Sequence, residues 1–207
     1  MSDKKTVFIL DPGHGKDTPG KRSPEIPPGF YEWKFVREIA DGIMNVSEKS
    51  DDKKWIVKNI FDYRLSRDLS AKLEYRCYMA NFMNMSYPKS CGYSVYFVSI
   101  HTNAAGNKGW YDVNGTTAFT CKNASEKSEK LASVLTKNIS EITGLKNRGT
   151  KKKNFYVLKH TTCPSVLIEV LFHTSKHDCE IAANDKDKII DAFVKTFDEI
   201  AEMESKK

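Results

Sequence analysis

Short apolar runs alternate along this chain with longer stretches in which apolar residues return at helical spacing. Thr6 to Leu10 is a compact apolar run and predicts a buried strand. Asp11 to Gly29 is rich in Gly, Pro and Lys and predicts a loop. From Tyr31, the residues Phe35, Val36, Ile39, Ile43 and Met44 keep the helical period, so a helix is expected to run to about Ser47. Trp55 to Phe61 predicts a second strand. Leu69, Leu73, Arg76, Cys77, Ala80 and Met83 mark a second helix, with Ser70 or Asp68 as its cap. Tyr93 to Ile100 and Thr116 to Cys121 predict two further strands. Ser125 to Thr143 predicts a helix with Leu131, Val134, Leu135, Ile139 and Ile142 on one face. Phe155 to Leu158 and Val166 to Leu171 predict short strands. Ile189, Ile190, Phe193, Val194, Phe197 and Ile200 form the inward face of a C-terminal helix.

Strands and helices alternating in this way predict an α/β fold. The expected form is a three-layer sandwich whose central sheet, mostly parallel or mixed, has about six strands flanked by helices. A chain of 207 residues without repeats or a long linker is expected to form a single domain, residues 1–207. In such sheets ligands gather at the carboxyl ends of the strands.

Composition adds bounds rather than an answer. The net charge of +6 favours anionic partners, among which nucleic acid, an anionic lipid surface and a cell-wall polymer all qualify. The five cysteines, Cys77, Cys91, Cys121, Cys163 and Cys179, contain no Cys-x-x-Cys pair, which argues against a disulfide framework or a zinc knuckle. No apolar stretch is long enough to cross a membrane. The run Val7 to Leu10 is too short for the core of a signal peptide, so synthesis in the cytoplasm is expected.

Four polar residues stand at conspicuous places in this pattern. His14 follows the first strand in Asp11-Pro12-Gly13-His14-Gly15, and Glu32 opens the first helix. His101 closes an apolar strand and continues as Thr102-Asn103-Ala104. Glu169 lies among Leu167, Ile168, Val170 and Leu171, where a carboxylate needs a partner or a task. Two imidazoles and a carboxylate make a three-ligand zinc set with a fourth position for water, and a further carboxylate can serve as base. Each residue alone also has a plain reading: a loop histidine, or a glutamate favouring a helix dipole. Gly15 to Lys21 imitates a phosphate loop, but Arg22 stands where Ser or Thr is required and prolines follow in place of a helix. Cys163 near His160 imitates a thiol nucleophile, but Pro164 follows at once and no helix N-terminus is in sight.

Leu10 to Gly15, Tyr31-Glu32, Ser99 to Ala104 and Leu167 to Val170 resemble, in unbroken order, the signature segments of the zinc-dependent N-acetylmuramoyl-L-alanine amidases. Asn147-Arg148-Gly149 and Asn154 to Leu158 resemble the segment before that family's last strands. The resemblance implies a catalytic amidase domain with Zn2+ on His14, Glu32 and His101, and Glu169 as the catalytic carboxylate. It implies peptidoglycan, through its muramoyl stem peptide, as the partner, rather than nucleic acid or a membrane interior, and a monomeric enzyme. Asn103 and Arg148 are expected to bind substrate, with Lys151, Lys152 and Lys153 as further partners for its carboxylates. The absence of an export signal and the short connection from His101 to Thr116 fit a phage endolysin that reaches the wall after release. A host wall-remodelling amidase without its signal, and a non-catalytic peptidoglycan-binding module of the same fold, stay open as alternatives. Departures from the family pattern fall at Thr102, often alanine, at Leu171, usually glycine, and at His173, commonly apolar. His173 is expected at the surface, with a place behind the ligands or a role as a spare ligand as the alternatives.

Overall fold

The first apolar run forms β1, Lys5–Pro12, buried along its whole length after Lys5. Burial on both faces is what the interior of a parallel sheet imposes on a strand. In the computed structural model, which describes residues 5–206 apart from 17, 25–28, 51, 61–71 and 108, β1 lies between β2 (Trp55–Asn59) and β3 (Tyr93–Asn103). It runs parallel to both. β6 (Ser165–Phe172) continues parallel to β3. β4 (Thr116–Thr120) is antiparallel to β6, and β5 (Asn147–Lys152) closes that edge parallel to β4. The order β2-β1-β3-β6-β4-β5 makes a mixed, six-stranded sheet.

Helices cover both faces. They are α1 (Glu32–Lys49), α2 (Leu73–Ser86), α3 (Glu126–Thr143), α4 (Tyr156–His160), α5 (Lys176–Asn184) and α6 (Lys186–Ser205). The two-residue period of the strands divides the core between the layers. Phe8, Leu10, Val98 and Ile100 pack with Ile39 of α1, Leu131 of α3 and Phe193 and Phe197 of α6. The Phe8 ring stacks on Phe197 with centroids 3.8 Å apart. Val7, Ile9, Val95 and Phe97 face the other way, toward Cys77 and Ala80 of α2 and Val157 and Leu158 of α4.

Phe155 to Leu158 is helical rather than extended: Phe155 caps α4, Tyr156–His160, which buries Val157 and Leu158. So short an apolar run has no measurable period, and packing against α2 decides it. β5, by contrast, is a strand that the hydrophobic pattern does not predict. Its sequence, Asn-Arg-Gly-Thr-Lys-Lys, is polar because it pairs on one side only and stays mostly exposed. α5 was likewise not predicted; it is opened by Ser175, whose hydroxyl accepts from the Asp178 N–H at 3.3 Å. Phe61, and Asp68, Leu69 and Ser70 proposed for the start of α2, lie outside the described residues. Among the described residues no helix is long and apolar enough to cross a membrane.

Candidate metal centre

The face of the sheet toward α2 changes character as the strands approach their carboxyl ends. On β1 the series Val7, Ile9 continues as Asp11; on β3, Val95, Phe97 continues as Ser99, His101; on β6, Leu167 continues as Glu169. Asp11 is the register partner of Ser99, and His101 of Glu169. A single alternation therefore sets apolar residues under α2 and polar ones at the sheet's end. Glu32 arrives from the first turn of α1 and is fully buried, its Oε1 accepting from the Thr102 N–H at 2.9 Å.

His14 completes the group from the loop after β1. Its backbone is in the left-handed region, with φ of 57°, a conformation that costs a non-glycine residue on the order of 1 kcal/mol or more. Two guanidinium groups hold it there: Arg37 donates to the His14 carbonyl at 2.8 Å and Arg76 at 3.1 Å. Gly13 beside it admits the His101 ring, because a Cβ at that position would lie 2.3 Å from His101 Cε1. The glycine is needed for the imidazole itself, and not only for an approaching substrate.

His101 Nδ1 lies 3.2 Å from His14 Nε2 and 3.2 Å from Glu32 Oε1, and the third side of the triangle, His14 Nε2 to Glu32 Oε1, is 3.4 Å. Tetrahedral zinc with bonds of about 2.0–2.1 Å separates its ligand atoms by about 3.3–3.4 Å. The donor set thus fits a zinc-sized ion in both kind and spacing. Burial above all depresses the His14 pKa, to about 3, and Lys21 and Arg76 add to this against the pull of Glu32. His14 is therefore neutral near pH 7 and presents a lone pair. Burial pushes the Glu32 carboxyl up, but the His101 hydrogen bond, both histidines and the Thr102 N–H outweigh it and bring the pKa down to about 2. Burial lowers His101 too, yet Glu32, Glu169 and Asp11 raise it overall. The centre of this triangle is a place for positive charge.

Glu169 faces the histidines in a pocket of about 300 Å³ lined also by Lys21, Tyr156 and Phe155. Burial raises its pKa, and Glu32 adds to the rise. Its Oε2 is buried without a hydrogen-bond partner among the described residues. A carboxylate held in this way is a ready proton acceptor. Of the two residues expected to bind substrate, neither lines this pocket. Asn103 turns its side-chain oxygen to the Ala104 N–H at 2.8 Å. Arg148 donates to the Asn114 carbonyl at 2.8 Å and lies over the Phe172 ring. Lys152 pairs with Glu129, whereas Lys153 lies 4.5 Å from the Phe155 ring centroid, beside the pocket.

His173 is not at the surface: it is 1% exposed. Its Nδ1 shares a hydrogen bond with the Thr102 hydroxyl at 2.9 Å and lies 3.9 Å from Glu32 Oε2. Two of the three departures noted in the sequence are thus one contact, packed behind the Glu32 carboxylate. The helical period places Arg76 on the α2 face without naming what it meets there. A cation on a buried helix face was the available signal that it has a carboxylate partner. Cys163 is buried, and burial lifts its thiol to about 12, which leaves no nucleophile at neutral pH.

The family model described as N-acetylmuramoyl-L-alanine amidase matches residues 8–197. The chain belongs to the N-acetylmuramoyl-L-alanine amidase family. Relatives of this family include LytC of Bacillus subtilis, an N-acetylmuramoyl-L-alanine amidase, 27% identical over 189 residues. That match covers 84% of this chain and 30% of LytC. The protein named "Probable cell wall amidase LytH" of Staphylococcus epidermidis is 26% identical over 183 residues, 88% of this chain and 53% of LytH. The chain therefore spans about half the length of LytH and under a third of LytC. The endolysin of Bacillus phage SPP1 is 31% identical over 90 residues, 43% of this chain and 33% of the endolysin. In three dimensions, the N-acetylmuramoyl-L-alanine amidase of Clostridium difficile 630 superposes with a TM-score of 0.73 at 28% identity. It covers 94% of this chain and 95% of its own. The six-stranded mixed sheet flanked by helices is thus the amidase fold.

Proposed function

We propose that this chain hydrolyses the amide bond between N-acetylmuramic acid and L-alanine in peptidoglycan, with zinc on His14, Glu32 and His101. The observation that carries the reading is the triangle of ligand atoms at 3.2–3.4 Å, with Glu169 opposite His101 in the sheet register. Zinc, when bound, supplies a Lewis acid for the amide carbonyl and makes water a stronger acid. Glu169 accepts the proton of the attacking water and returns it to the departing alanine nitrogen. Its raised pKa suits both halves of that transfer. Lys21 and Lys153, one lining the pocket and one beside it, offer positive charge to carboxylates of the stem peptide. Arg148 and Asn103 do not line this pocket, and for them we propose contacts with other parts of the same polymer.

A lytic role, as in a phage endolysin acting as a monomer after release from the cytoplasm, is the biological setting we propose. The match to the phage SPP1 endolysin supports it, as does the connection 104–115, which carries no helix or strand among its described residues. The decisive experiment incubates the protein with purified peptidoglycan and identifies the new end group. A free alanine amine is the expected product. A reducing sugar, or no new end group with zinc bound, overturns the reading.

A further inference from the structure

A chain of polar groups runs beneath the metal centre. Arg76 sits on the inward face of α2 beside Cys77 and Ala80 and is 4% exposed. A guanidinium so deep costs several kcal/mol unless it is paired and hydrogen-bonded. It donates to Asp11 Oδ1, to the Pro12 carbonyl at 2.8 Å and to the His14 carbonyl at 3.1 Å. Asp11 is 1% exposed, and its second oxygen accepts the Ser99 hydroxyl at 2.6 Å. Ser99 Oγ in turn lies 3.2 Å from His101 Nε2, the ring nitrogen opposite the ligand atom Nδ1.

The direction of every bond in this chain follows from its far end. A guanidinium only donates, and an ionised carboxylate only accepts. The Ser99 proton therefore goes to Asp11, and the Ser99 oxygen is left to accept. His101 Nε2 must then carry the hydrogen, which leaves Nδ1 with its lone pair toward the ligand triangle. The same guanidinium holds the backbone of His14 in its left-handed conformation.

We propose that Arg76, Asp11 and Ser99 are positioning residues that fix the tautomer of His101, and that Arg76 couples this to the placement of His14. One buried cation on α2 thereby sets both histidines. Outer partners of metal-bound histidines act in this way, and their loss costs about 10–100-fold in metal affinity. The proposal rests on the metal reading given above.

The test measures zinc affinity of the full chain by competition with a chromophoric chelator, for the wild type, Ser99→Ala and Asp11→Asn. Long-range proton–nitrogen NMR on the metal-free proteins, at a pH where the imidazole is neutral, reports the His101 tautomer. Ser99→Ala removes the acceptor from Nε2, and zinc binding should weaken about 10–100-fold with loss of the single tautomer. Asp11→Asn offers an amide donor to Ser99, reverses the last bonds and should move the ring hydrogen to Nδ1, weakening zinc at least as much. Two variants at different points guard against either one failing to fold. Affinity within twofold of wild type in the folded variants overturns the proposal. Weaker binding with an unchanged tautomer also overturns it, in favour of simple packing. If the wild type itself takes up no zinc, the metal reading fails and this proposal with it.

Discussion

His101 and Glu169 are direct partners in the parallel ladder between β3 and β6. Their side chains leave the same face at the same level, so backbone hydrogen bonding sets the distance between the proposed metal ligand and the proposed proton acceptor. Glu169 reaches the centre without touching Glu32 or His14 through a hydrogen bond. Glu169→Gln should therefore keep the fold and the metal but lose about a hundredfold or more in wall-lytic rate. Metal content by elemental analysis beside turbidity loss of purified walls checks this. Near-wild-type lysis by Glu169→Gln leaves the carboxylate a structural role only.

Gly13 and His101 make the closest steric demand at the site. A methyl group on Gly13 would occupy the space of the imidazole, 2.3 Å from Cε1. Gly13→Ala is expected to displace the ring, to destabilise the protein by about 1–3 kcal/mol and to lower zinc affinity. His101→Ala should abolish zinc binding altogether, since two protein ligands remain. Chelator competition and chemical denaturation measure the two effects separately. Full zinc occupancy in Gly13→Ala would falsify the assigned packing.

His14 gives a signed dependence on pH in the metal-free protein. Its folded pKa, about 3, lies below the ordinary 6.5. Between these values the unfolded chain binds a proton that the folded one refuses, so this group's contribution is present above pH 6.5 and lost as pH falls toward 3. His14→Ala should remove one proton's worth of slope from the stability profile between pH 6 and pH 4, relative to wild type. Denaturation midpoints of chelator-treated protein across that range provide the check. Parallel profiles for the two proteins count against a neutral buried His14.

The cysteines should take no part in the reaction. Burial raises the thiols of Cys77 and Cys163, to about 11 and about 12, whereas Cys91 is exposed. A thiol-blocking reagent at neutral pH should label Cys91 first, as seen by mass spectrometry, and leave activity intact. A strong chelator should stop activity, and added zinc should restore it. Inhibition by the thiol reagent with indifference to chelation reverses the assignment.

The order of the residues alone was enough for the periodic part of the fold and for the set of polar groups brought to one end of the sheet. β1, α1, β3, α3 and α6 follow from runs and faces of apolar residues, because burial selects them locally. The convergence of His14, Glu32 and His101 could be expected because these polar groups sit beside apolar strands or at a helix start, in segments that resemble a known family. The rest depends on packing between segments distant in the chain. β5 is polar because an edge strand needs a neighbour's backbone more than a buried face, and no hydrophobic pattern records that. Phe155 to Leu158 was too short to show its period, so contact with α2 settled it as a helix. His173 is buried by Thr102 and Glu32, residues far from it in sequence. Arg76 joins Asp11, Ser99 and both histidines through three separate segments, residues 11–14, α2 and β3. Such a network is a fact of register and packing, and the sequence names its members without saying that they meet.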